Sequence, residues 1–594
     1  MDIEMQRDEL ETLKREFETL PIGYISKKTI QGKTRYYLQW TENGKKKSKY
    51  LDEAIVDALR AQIERRKTVQ KRIKELEALL PKERKKPTVG NIFQTGVLTG
   101  EELRAFVNPV AAYKKRSCFS NVTEYLYGEI VDRVFILYGL RRTGKTTLIR
   151  QAIGEMKEAD FRRAAFVQIR TGDTLANVNA DLKRLQADGY KYVFIDEVTL
   201  LKDFIDGAAL FSDIFASCGM KIVLSGTDSL GFLFSEDEQL FDRCILLHTT
   251  FIPYREFEEV LGVHGIDEYI RFGGTMSLGG VHYNERSTFA TKEGTDAYVD
   301  SAIAKNVQHS LQCYQQAGHF RALRDLYEKN ELTSVINRII EDYNHEFTLD
   351  VLTRDFVSHD LGASANNLRR DKNDPTDVLD RIEIETFTKR LKELLEIKNK
   401  EERSVPITDA HRAQIKEYLD LLDLTADVER QTIPVSDVEK RTVFTQPGMR
   451  YSQAEALVKS LLADKTFEAL SLEERKRITE RILGEIKGRM LEDIVLLETK
   501  LARKNETVFK LQFAVGEFDM VVANEKDATC EIFEIKHSAA RSPEQYKHLT
   551  DEQKCSATEF RYGKIVKKVV LYRGETCRDG AIDYVNVEEY LTHL

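Results

Sequence analysis

Short apolar runs separated by helix-like segments dominate the chain between residues 105 and 255. Five of these runs have the length of strands and are apolar throughout rather than at alternate positions: Val134–Tyr138, Ala164–Ile169, Tyr192–Ile195, Ile222–Leu224 and Cys244–Leu247. Continuous apolar runs of this length are typical of strands that helices cover on both faces, as in parallel sheets. The pattern therefore predicts an α/β domain with a parallel sheet over residues 105–255.

A different pattern, helix then strands then helix, covers residues 1–90. Apolar positions at helical spacing over residues 5–20 predict a helix, and three strand-like runs follow, separated by Gln31-Gly32 and Asn43-Gly44. Asn-Gly is a strong hairpin signal because both central residues of the turn take positive φ. A second helix over about residues 52–80 completes the predicted helix–three-stranded sheet–helix module.

The remaining pattern divides into a helical middle and a mixed C-terminal part. Residues 256–480 are mainly helical and highly charged, whereas residues 481–594 alternate between helix and strand. We therefore expect four regions: a basic module at 1–90, an α/β domain at 105–255, a helical middle domain at 256–480 and a second α/β domain at 481–594.

Charge is distributed unevenly along the 594 residues. The net charge is −8, but residues 1–90 hold 22 Lys and Arg against 15 Asp and Glu, so they carry +7 and the rest carries −15. The total speaks against a dedicated nucleic-acid coat protein, while the N-terminal module is locally basic.

Several patterns bear on the compartment. No apolar run approaches the roughly 18 residues of a membrane helix, and the N-terminus carries no apolar signal segment. The seven cysteines are scattered without paired spacing, which argues against a disulfide framework or a zinc site. We expect a cytoplasmic protein with no membrane contact.

A glycine-rich loop lies between the first predicted strand of the α/β domain and a helix-like run. The residues are Gly139, Leu140, Arg141, Arg142, Thr143, Gly144, Lys145 and Thr146, with Thr147 continuing the helix. Backbone N–H groups and the helix dipole at such a loop favour phosphate. We expect this segment to bind ATP, with Lys145 reaching the β- and γ-phosphates and Thr146 ligating Mg²⁺.

Two carboxylates follow the strand-like run at Tyr192–Ile195. Ligands of open α/β sheets bind at the carboxyl ends of the strands. Asp196 is therefore predicted to hold Mg²⁺ through water, and Glu197 to polarise the water that attacks the γ-phosphate. A solvated strand end is the alternative interpretation.

Further candidates lie at the ends of neighbouring strands. Ser225 and Thr227 follow the fourth predicted strand, and either could position the attacking water. Arg243 could offer its charge to a γ-phosphate across a subunit interface, which would require a homo-oligomer. A local ion pair is the alternative for Arg243.

Together these motifs resemble the AAA+-related ATPases of archaea and bacteria. That family commonly has a Gly-x-Arg-Arg-x-Gly-Lys-Thr loop, as at residues 139–146, a Pro-x-x-x-Phe segment, here Pro253 to Phe257, and paired glycines, here Gly273-Gly274. The resemblance covers about residues 105–594. It implies an AAA+-type P-loop sheet followed by a helical or winged-helix-like segment.

A second set of charged residues lies on two strand-like runs near the C-terminus. Asp519 begins one run, and Glu534 and Lys536, two residues apart on the next, face the same side. Two adjacent strands can thus bring two carboxylates and an ammonium together. Carboxylate oxygens suit Mg²⁺ or Mn²⁺, and ordinary surface residues are the alternative interpretation.

This arrangement resembles the restriction-endonuclease-like PD-(D/E)xK superfamily, with which the ATPase family above often ends. The resemblance implies a metal-dependent nuclease fold in which Asp519, Glu534 and Lys536 are catalytic, and Glu492 matches an acidic metal ligand from a preceding helix. Phe518 stands where the motif has its proline, a departure that the superfamily often shows. Some members only bind DNA, so the resemblance leaves cleavage open.

Basic and aromatic residues are interleaved over residues 21–50. Such a surface can neutralise phosphates and stack on bases, although the same residues can also form a solvated sheet packed on its helices. The main hypothesis is an ATP-hydrolysing AAA+-like ATPase with a nuclease-fold domain that acts on DNA. The rival is a nucleotide-controlled switch or scaffold whose C-terminal domain has no catalysis.

Overall fold

The computed structural model describes most of the chain. The described residues are 21, 23–30, 33–42, 45–51, 53–79, 93–227, 232, 240–249, 251–276, 289, 291–313, 320–357, 406–434, 437–462 and 471–594. They divide into two compact units, Met1–Ile92 and Phe93–Leu594. The helix predicted over residues 5–20 lies outside the described residues.

Three antiparallel strands and one helix make up the first unit. They are β1 (Tyr24–Ile30), β2 (Lys33–Glu42), β3 (Lys45–Leu51) and α1 (Glu53–Leu79). β2 is the central strand and α1 lies against β1 and β2. Leu51, Val56 and Ile63 are buried, so apolar side chains stabilise this small sheet. The three strands and the following helix agree with the turn signals in the sequence.

A six-stranded sheet opens the second unit. Its strands are β4 (Gly96–Leu98), β5 (Val134–Tyr138), β6 (Ala164–Gln168), β7 (Tyr192–Asp196), β8 (Lys221–Gly226) and β9 (Cys244–His248). They lie in the order β4-β6-β7-β8-β5-β9. All neighbours are parallel except β4, which pairs antiparallel with β6. The five strands predicted from continuous apolar runs are confirmed.

Helices cover both faces of this sheet, and two apolar cores fill the space between them. The helices are α2 (Gly100–Val107), α3 (Phe119–Tyr127), α4 (Lys145–Gly154), α5 (Glu158–Phe161), α6 (Leu175–Ala187) and α7 (Phe204–Gly207). Short 3-10 helices lie at Asn108–Val110 and Val198–Leu200, and a π-helix lies at Phe211–Ala216.

A third sheet has eight strands. They are β10 (Thr425–Thr432), β11 (Asp437–Phe444), β12 (Thr507–Gln512), β13 (Glu517–Asn524), β14 (Thr529–Ile535), β15 (Lys564–Tyr572), β16 (Cys577–Asp579) and β17 (Ile582–Asn586). Their order is β11-β10-β12-β13-β14-β15-β17-β16. The hairpin of β10 and β11 comes from the range predicted to be helical, and it joins this sheet because β10 pairs with β12.

The described residues between the two large sheets are otherwise helical. The helices are α8 (Tyr254–Leu261), α9 (Ile266–Phe272), α10 (Lys292–Tyr298), α11 (Lys305–Cys313), α12 (Arg321–Glu328), α13 (Leu332–Val357), α14 (Asp409–Leu421) and α15 (Pro447–Leu462), with a π-helix at Val299–Ala304. The winged-helix arrangement of this region stays a prediction.

Four more helices accompany the third sheet. They are α16 (Leu472–Ala502), a 3-10 helix at Pro543–Tyr546, α17 (Glu552–Tyr562) and α18 (Val587–Thr592). One apolar core is shared by α8, α9, α15, α16 and the third sheet, so the elements after the six-stranded sheet pack directly on the C-terminal region. Within the described ranges, no helix is both long and apolar enough to cross a membrane.

Candidate functional site

The glycine-rich loop connects the carboxyl end of β5 to the first turn of α4. Gly144 adopts the left-handed conformation, with φ of 88°, directly before Lys145 begins the helix. Lys145 Nζ donates hydrogen bonds to the carbonyl oxygens of Gly139 at 2.8 Å and Leu140 at 2.7 Å. Burial lowers the pKa of Lys145 to about 8, and the carboxylates of Glu197 and Asp196 limit this shift. The loop thus holds a buried ammonium at the strand end.

Asp196, the last residue of β7, lies beside the first turn of α4. Thr146 Oγ1 donates to Asp196 Oδ2 at 2.9 Å, and Ser225 Oγ on β8 donates to Asp196 Oδ1. Both oxygens of a buried carboxylate are therefore held by hydroxyl groups. A hydroxyl and a carboxylate brought together at a P-loop are the donor set that Mg²⁺ accepts when bound with ATP.

Glu197 follows β7 in a left-handed conformation, with φ of 57°. A non-glycine residue takes this conformation rarely, and such strain is concentrated at functional sites. Thr227 Oγ1 donates to Glu197 Oε2 at 3.2 Å, and burial raises the pKa of Glu197. Ser225 and Thr227, which the sequence could not separate, therefore contact different carboxylates: Ser225 contacts Asp196, and Thr227 contacts Glu197.

Arg116 supports the loop from outside and was not predicted. Its Nη1 donates to the carbonyl oxygen of Thr143 at 2.8 Å, and its Nε pairs with Glu256 at 2.5 Å. Both side chains of this ion pair are buried. Nothing in the sequence marks Arg116, because its partners come from the glycine-rich loop and from α8.

Met276 packs against the loop and was also not predicted. Its N–H donates to the carbonyl oxygen of Arg142 at 2.8 Å. A Cβ atom at Gly144 would lie 2.6 Å from Met276 Sδ, which the flexible methionine side chain could avoid by shifting, whereas the positive φ favours glycine here. The segment that follows α9 thus reaches the glycine-rich loop.

Arg243 lies at the amino end of the strands of this sheet, whereas the glycine-rich loop lies at their carboxyl end. β5 and β9 are parallel, with Val134 opposite Cys244 and Tyr138 opposite His248. The glycine-rich loop follows Tyr138, whereas Arg243 precedes Cys244. Arg243 Nε forms an ion pair with Asp213 at 2.9 Å, so within its own chain Arg243 does not approach the loop.

The predicted C-terminal residues converge. The register of β13 and β14 pairs Met520 with Phe533, which brings Asp519 and Glu534 to neighbouring positions across the two strands. Lys536 Nζ lies 3.0 Å from Asp519 Oδ2 and 2.7 Å from Glu534 Oε2. The backbone N–H of Ile535 also donates to Asp519 Oδ2, at 2.8 Å.

Burial and charge set the ionisation of the two carboxyls in opposite directions. Burial raises the pKa of Glu534 well above its usual range, although Lys536 opposes the shift. Burial would also raise the pKa of Asp519, but the charges of Lys536 and Lys510 outweigh it and lower that pKa. Glu534 Oε1 is buried and has no hydrogen-bond partner in the described part of the chain. An orphaned carboxylate oxygen beside a second carboxylate fits a divalent cation.

Four further charged residues complete this C-terminal cluster: Glu492, Glu517, Lys510 and Arg489. Glu492 on α16, Glu517 and Asp519 have carboxylate oxygens within 4.8 Å of one another. Lys510 on β12 pairs with Glu517 at 2.5 Å and with Glu492 at 3.0 Å, and Arg489 pairs with Glu492 at 2.5 Å. Glu492 was predicted from the resemblance. Lys510, Glu517 and Arg489 were missed, and the one available signal was a lysine inside the apolar run of β12.

His537 turns away from this cluster. Its Nε2 pairs with Asp267 Oδ1 at 3.1 Å, and Asp267 also pairs with Lys487 at 3.0 Å and Arg573 at 2.8 Å. Asp267 belongs to α9, so three groups of the C-terminal region hold the helix that precedes Met276.

Residues 131–258 match the family described as the AAA domain, and residues 2–61 match a domain of unknown function (DUF6788). No curated protein matches the chain. One matching structure is C. elegans PCH-2, with 15% identity and a TM-score of 0.18, covering 37% of this chain and 64% of that chain. This chain therefore spans less than two thirds of PCH-2.

A second matching structure is the Aeropyrum pernix ORC1 protein in complex with DNA, with 14% identity and a TM-score of 0.20, covering 61% of this chain and 94% of that chain. The family match encloses the glycine-rich loop, Asp196 and strands β5 to β9. Residues 131–258 are therefore similar to the AAA domain family, and the glycine-rich loop lies inside the matched range.

Proposed function

We propose that the protein hydrolyses ATP at the P-loop and that its C-terminal domain binds DNA and cleaves it in a metal-dependent reaction. The observation that carries the second half is the convergence of Asp519, Glu534 and Lys536, with Lys536 Nζ within 3.0 Å of both carboxylates. Such a cluster can bind a cation and a phosphate side by side.

At the P-loop, each side chain has a proposed role in hydrolysis. Lys145 leaves the loop carbonyls and binds the β- and γ-phosphates, while Thr146 and Asp196 would hold Mg²⁺, which would supply positive charge to the phosphates. Glu197 accepts a proton from the attacking water. Thr227 holds the Glu197 side chain through its hydrogen bond and so helps to keep the attacking water in position. Arg243 acts on ATP bound by a neighbouring copy, which makes the working form a homo-oligomer.

In the C-terminal domain, Asp519 and Glu534 would hold Mg²⁺ or Mn²⁺, which supplies positive charge to the scissile phosphate. Lys536 orients the attacking water and binds a phosphate oxygen from the other side. The order of elements from α16 to β15 supports the nuclease-like fold: one α-helix, three strands, a 3-10 helix, a second α-helix and one strand. Glu492, expected as a third ligand, is bound to Arg489 and Lys510.

One observation favours the alternative of a switch or scaffold without cleavage. The described carboxylates of the cluster already pair with three cationic side chains, Lys510, Arg489 and Lys536. A cluster neutralised in this way can also serve only to stabilise the fold.

A nuclease assay separates the two. The full chain is incubated with supercoiled plasmid or single-stranded DNA and with Mg²⁺ or Mn²⁺, with and without ATP. We expect nicking that Asp519→Asn and Lys536→Ala abolish, while the exposed turn variants Asp527→Asn and Lys526→Ala keep it. A wild-type chain that hydrolyses ATP but leaves both DNA substrates intact would establish the switch or scaffold.

DNA affinity is proposed to depend partly on the N-terminal module. Residues 1–90 carry a net charge of +7, and each phosphate contact releases counterions, so affinity falls as salt rises. Deleting residues 1–90 should reduce the slope of log affinity against log salt in a fluorescence-anisotropy titration. Equal slopes with and without residues 1–90 would mean that the basic strands do not contact DNA and form a solvated sheet.

A further inference from the structure

Lys510 is a buried ammonium placed in the centre of the C-terminal cluster. Its side chain is 3% exposed. The pairing of β12 with β13 passes from Phe509 opposite Val521 to Leu511 opposite Phe518, so Lys510 alone faces two residues of β13, Asp519 and Met520. The extra residue lies on β13, so the bulge changes the direction of side chains on β13 and brings Asp519 towards Lys510.

The contacts of Lys510 are those expected of a cation held by three carboxylates. Lys510 Nζ lies 2.5 Å from Glu517, 3.0 Å from Glu492 and 3.8 Å from Asp519. The oxygens of these three groups lie within 4.8 Å of one another, close to the roughly 4.2 Å between opposite ligands of Mg²⁺. Lys510 Nζ donates a hydrogen bond to Glu492 and forms ion pairs with Glu517 and Asp519, so its positive charge occupies the group that would otherwise attract a metal ion.

The balance of charge strengthens this conclusion. Arg489 adds a second positive charge, 2.5 Å from Glu492 and 3.8 Å from Glu517. A divalent cation placed among these carboxylates would be repelled by both Lys510 and Arg489. On the other side of Asp519, Glu534 keeps a buried oxygen without a partner among the described residues.

We propose that the ammonium of Lys510 takes the place of a second metal ion. The C-terminal site then holds one divalent cation, between Asp519 and Glu534, and leaves Glu492 and Glu517 to Lys510. This inference rests on the proposed metal-dependent function and adds the number of ions to it. Removing the ammonium while keeping its three carboxylate partners should open a second ion site.

The test counts Mn²⁺ bound to the full chain without nucleotide, using the electron paramagnetic resonance signal of free Mn²⁺. The number of ions bound to Asp519→Asn gives the ions bound outside the cluster, and this number is subtracted from the other counts. We expect one ion for the wild type and two for Lys510→Gln, and one again for Lys510→Gln combined with Glu517→Gln. Circular dichroism melting curves confirm that each variant is folded.

Each other outcome is decisive. Two ions in the wild type, or one ion in a folded Lys510→Gln, would overturn the role of Lys510 and leave the metal site standing. If Lys510→Gln does not fold, Lys510→Met, which also removes the ammonium and keeps its three carboxylate partners, replaces it in the same count. Equal counts for the wild type and Asp519→Asn would instead remove the metal site itself, and the inference with it.

Discussion

The P-loop site and the C-terminal cluster both bring a buried lysine close to strand-end carboxylates, but different groups satisfy those carboxylates. At the P-loop, hydroxyls of Thr146 and Ser225 hold Asp196, and Lys145 donates to carbonyl oxygens. In the cluster, Lys510 and Lys536 bind the carboxylates directly.

This difference determines how readily each site can accept a metal ion. A hydroxyl can turn away from a carboxylate or become a ligand beside it, with no change in charge. An ammonium must instead remain near the ion or lose its ion pairs, and either is unfavourable in a buried place. The P-loop site can therefore bind and release a metal ion without breaking an ion pair. The cluster can accept a metal ion only where no ammonium already occupies its carboxylates.

The largest expected effect comes from the P-loop lysine. Lys145→Ala removes the charge that stabilises the phosphates, so ATP hydrolysis should fall by at least about 100-fold. Phosphate-release assays measure the rate, and Mn²⁺ binding at the C-terminal cluster should be unchanged in the same protein. Normal ATPase activity of this variant would contradict the proposed role of Lys145.

Glu197→Gln sharpens the comparison within the ATPase domain. Glutamine keeps the shape of the side chain but cannot accept the proton, so turnover should fall by about 10²–10⁴-fold while ATP still binds. Filter binding of labelled ATP and a turnover assay distinguish the two steps. Glu155→Gln is a matched control, since Glu155 is exposed and forms a surface ion pair with Lys115. A parental rate for Glu197→Gln would exclude it as the base.

The cluster should respond differently to the loss of a carboxylate and the loss of its lysine. Asp519→Asn should weaken Mn²⁺ binding at least about tenfold, while Lys536→Ala should retain the ion and lose cleavage. Calorimetric titration of Mn²⁺ checks both. Loss of the ion in both variants would mean that Lys536 is needed to position the carboxylates rather than to act on the phosphate.

The smallest expected effect is a pH dependence confined to the P-loop. Because Lys145 has a pKa lowered to about 8, it is charged below that pH and loses its proton above it. ATP affinity should therefore decrease as pH rises from about 7 to 9. Above the pKa of Lys145, the decrease should be at most about tenfold per pH unit. Calorimetry across this range measures the slope. Lys145→Arg, whose guanidinium stays charged, should flatten it, and an unchanged slope would assign the titration to another group.

The parts of each site that follow one another along the chain could be predicted from the sequence. The glycine-rich loop, Asp196 and the Glu534–Lys536 pair carry their geometry in local spacing, because a strand end or a two-residue repeat fixes where side chains lie. Arg116 and Met276 could not be predicted in this way. Their positions depend on packing between segments that are far apart in sequence.

The strands β10 and β11 show a second reason for a wrong prediction. Both are rich in charged residues, and most of their positions are half-buried or exposed, so they lack the apolar runs that identified the other strands. Lys510 was missed for a related reason: its burial depends on three carboxylates supplied by α16 and β13.

The pairing of β10 with β12 bears on how the chain can be divided. A fragment that starts at residue 481 would lose β10, and β12 would then expose its main-chain N–H and C=O groups along an open edge. Such edges recruit strands from other molecules, so this fragment should self-associate or aggregate. The smallest soluble piece that preserves the sheet must include the hairpin at Thr425–Phe444, together with the helices that connect it to α16.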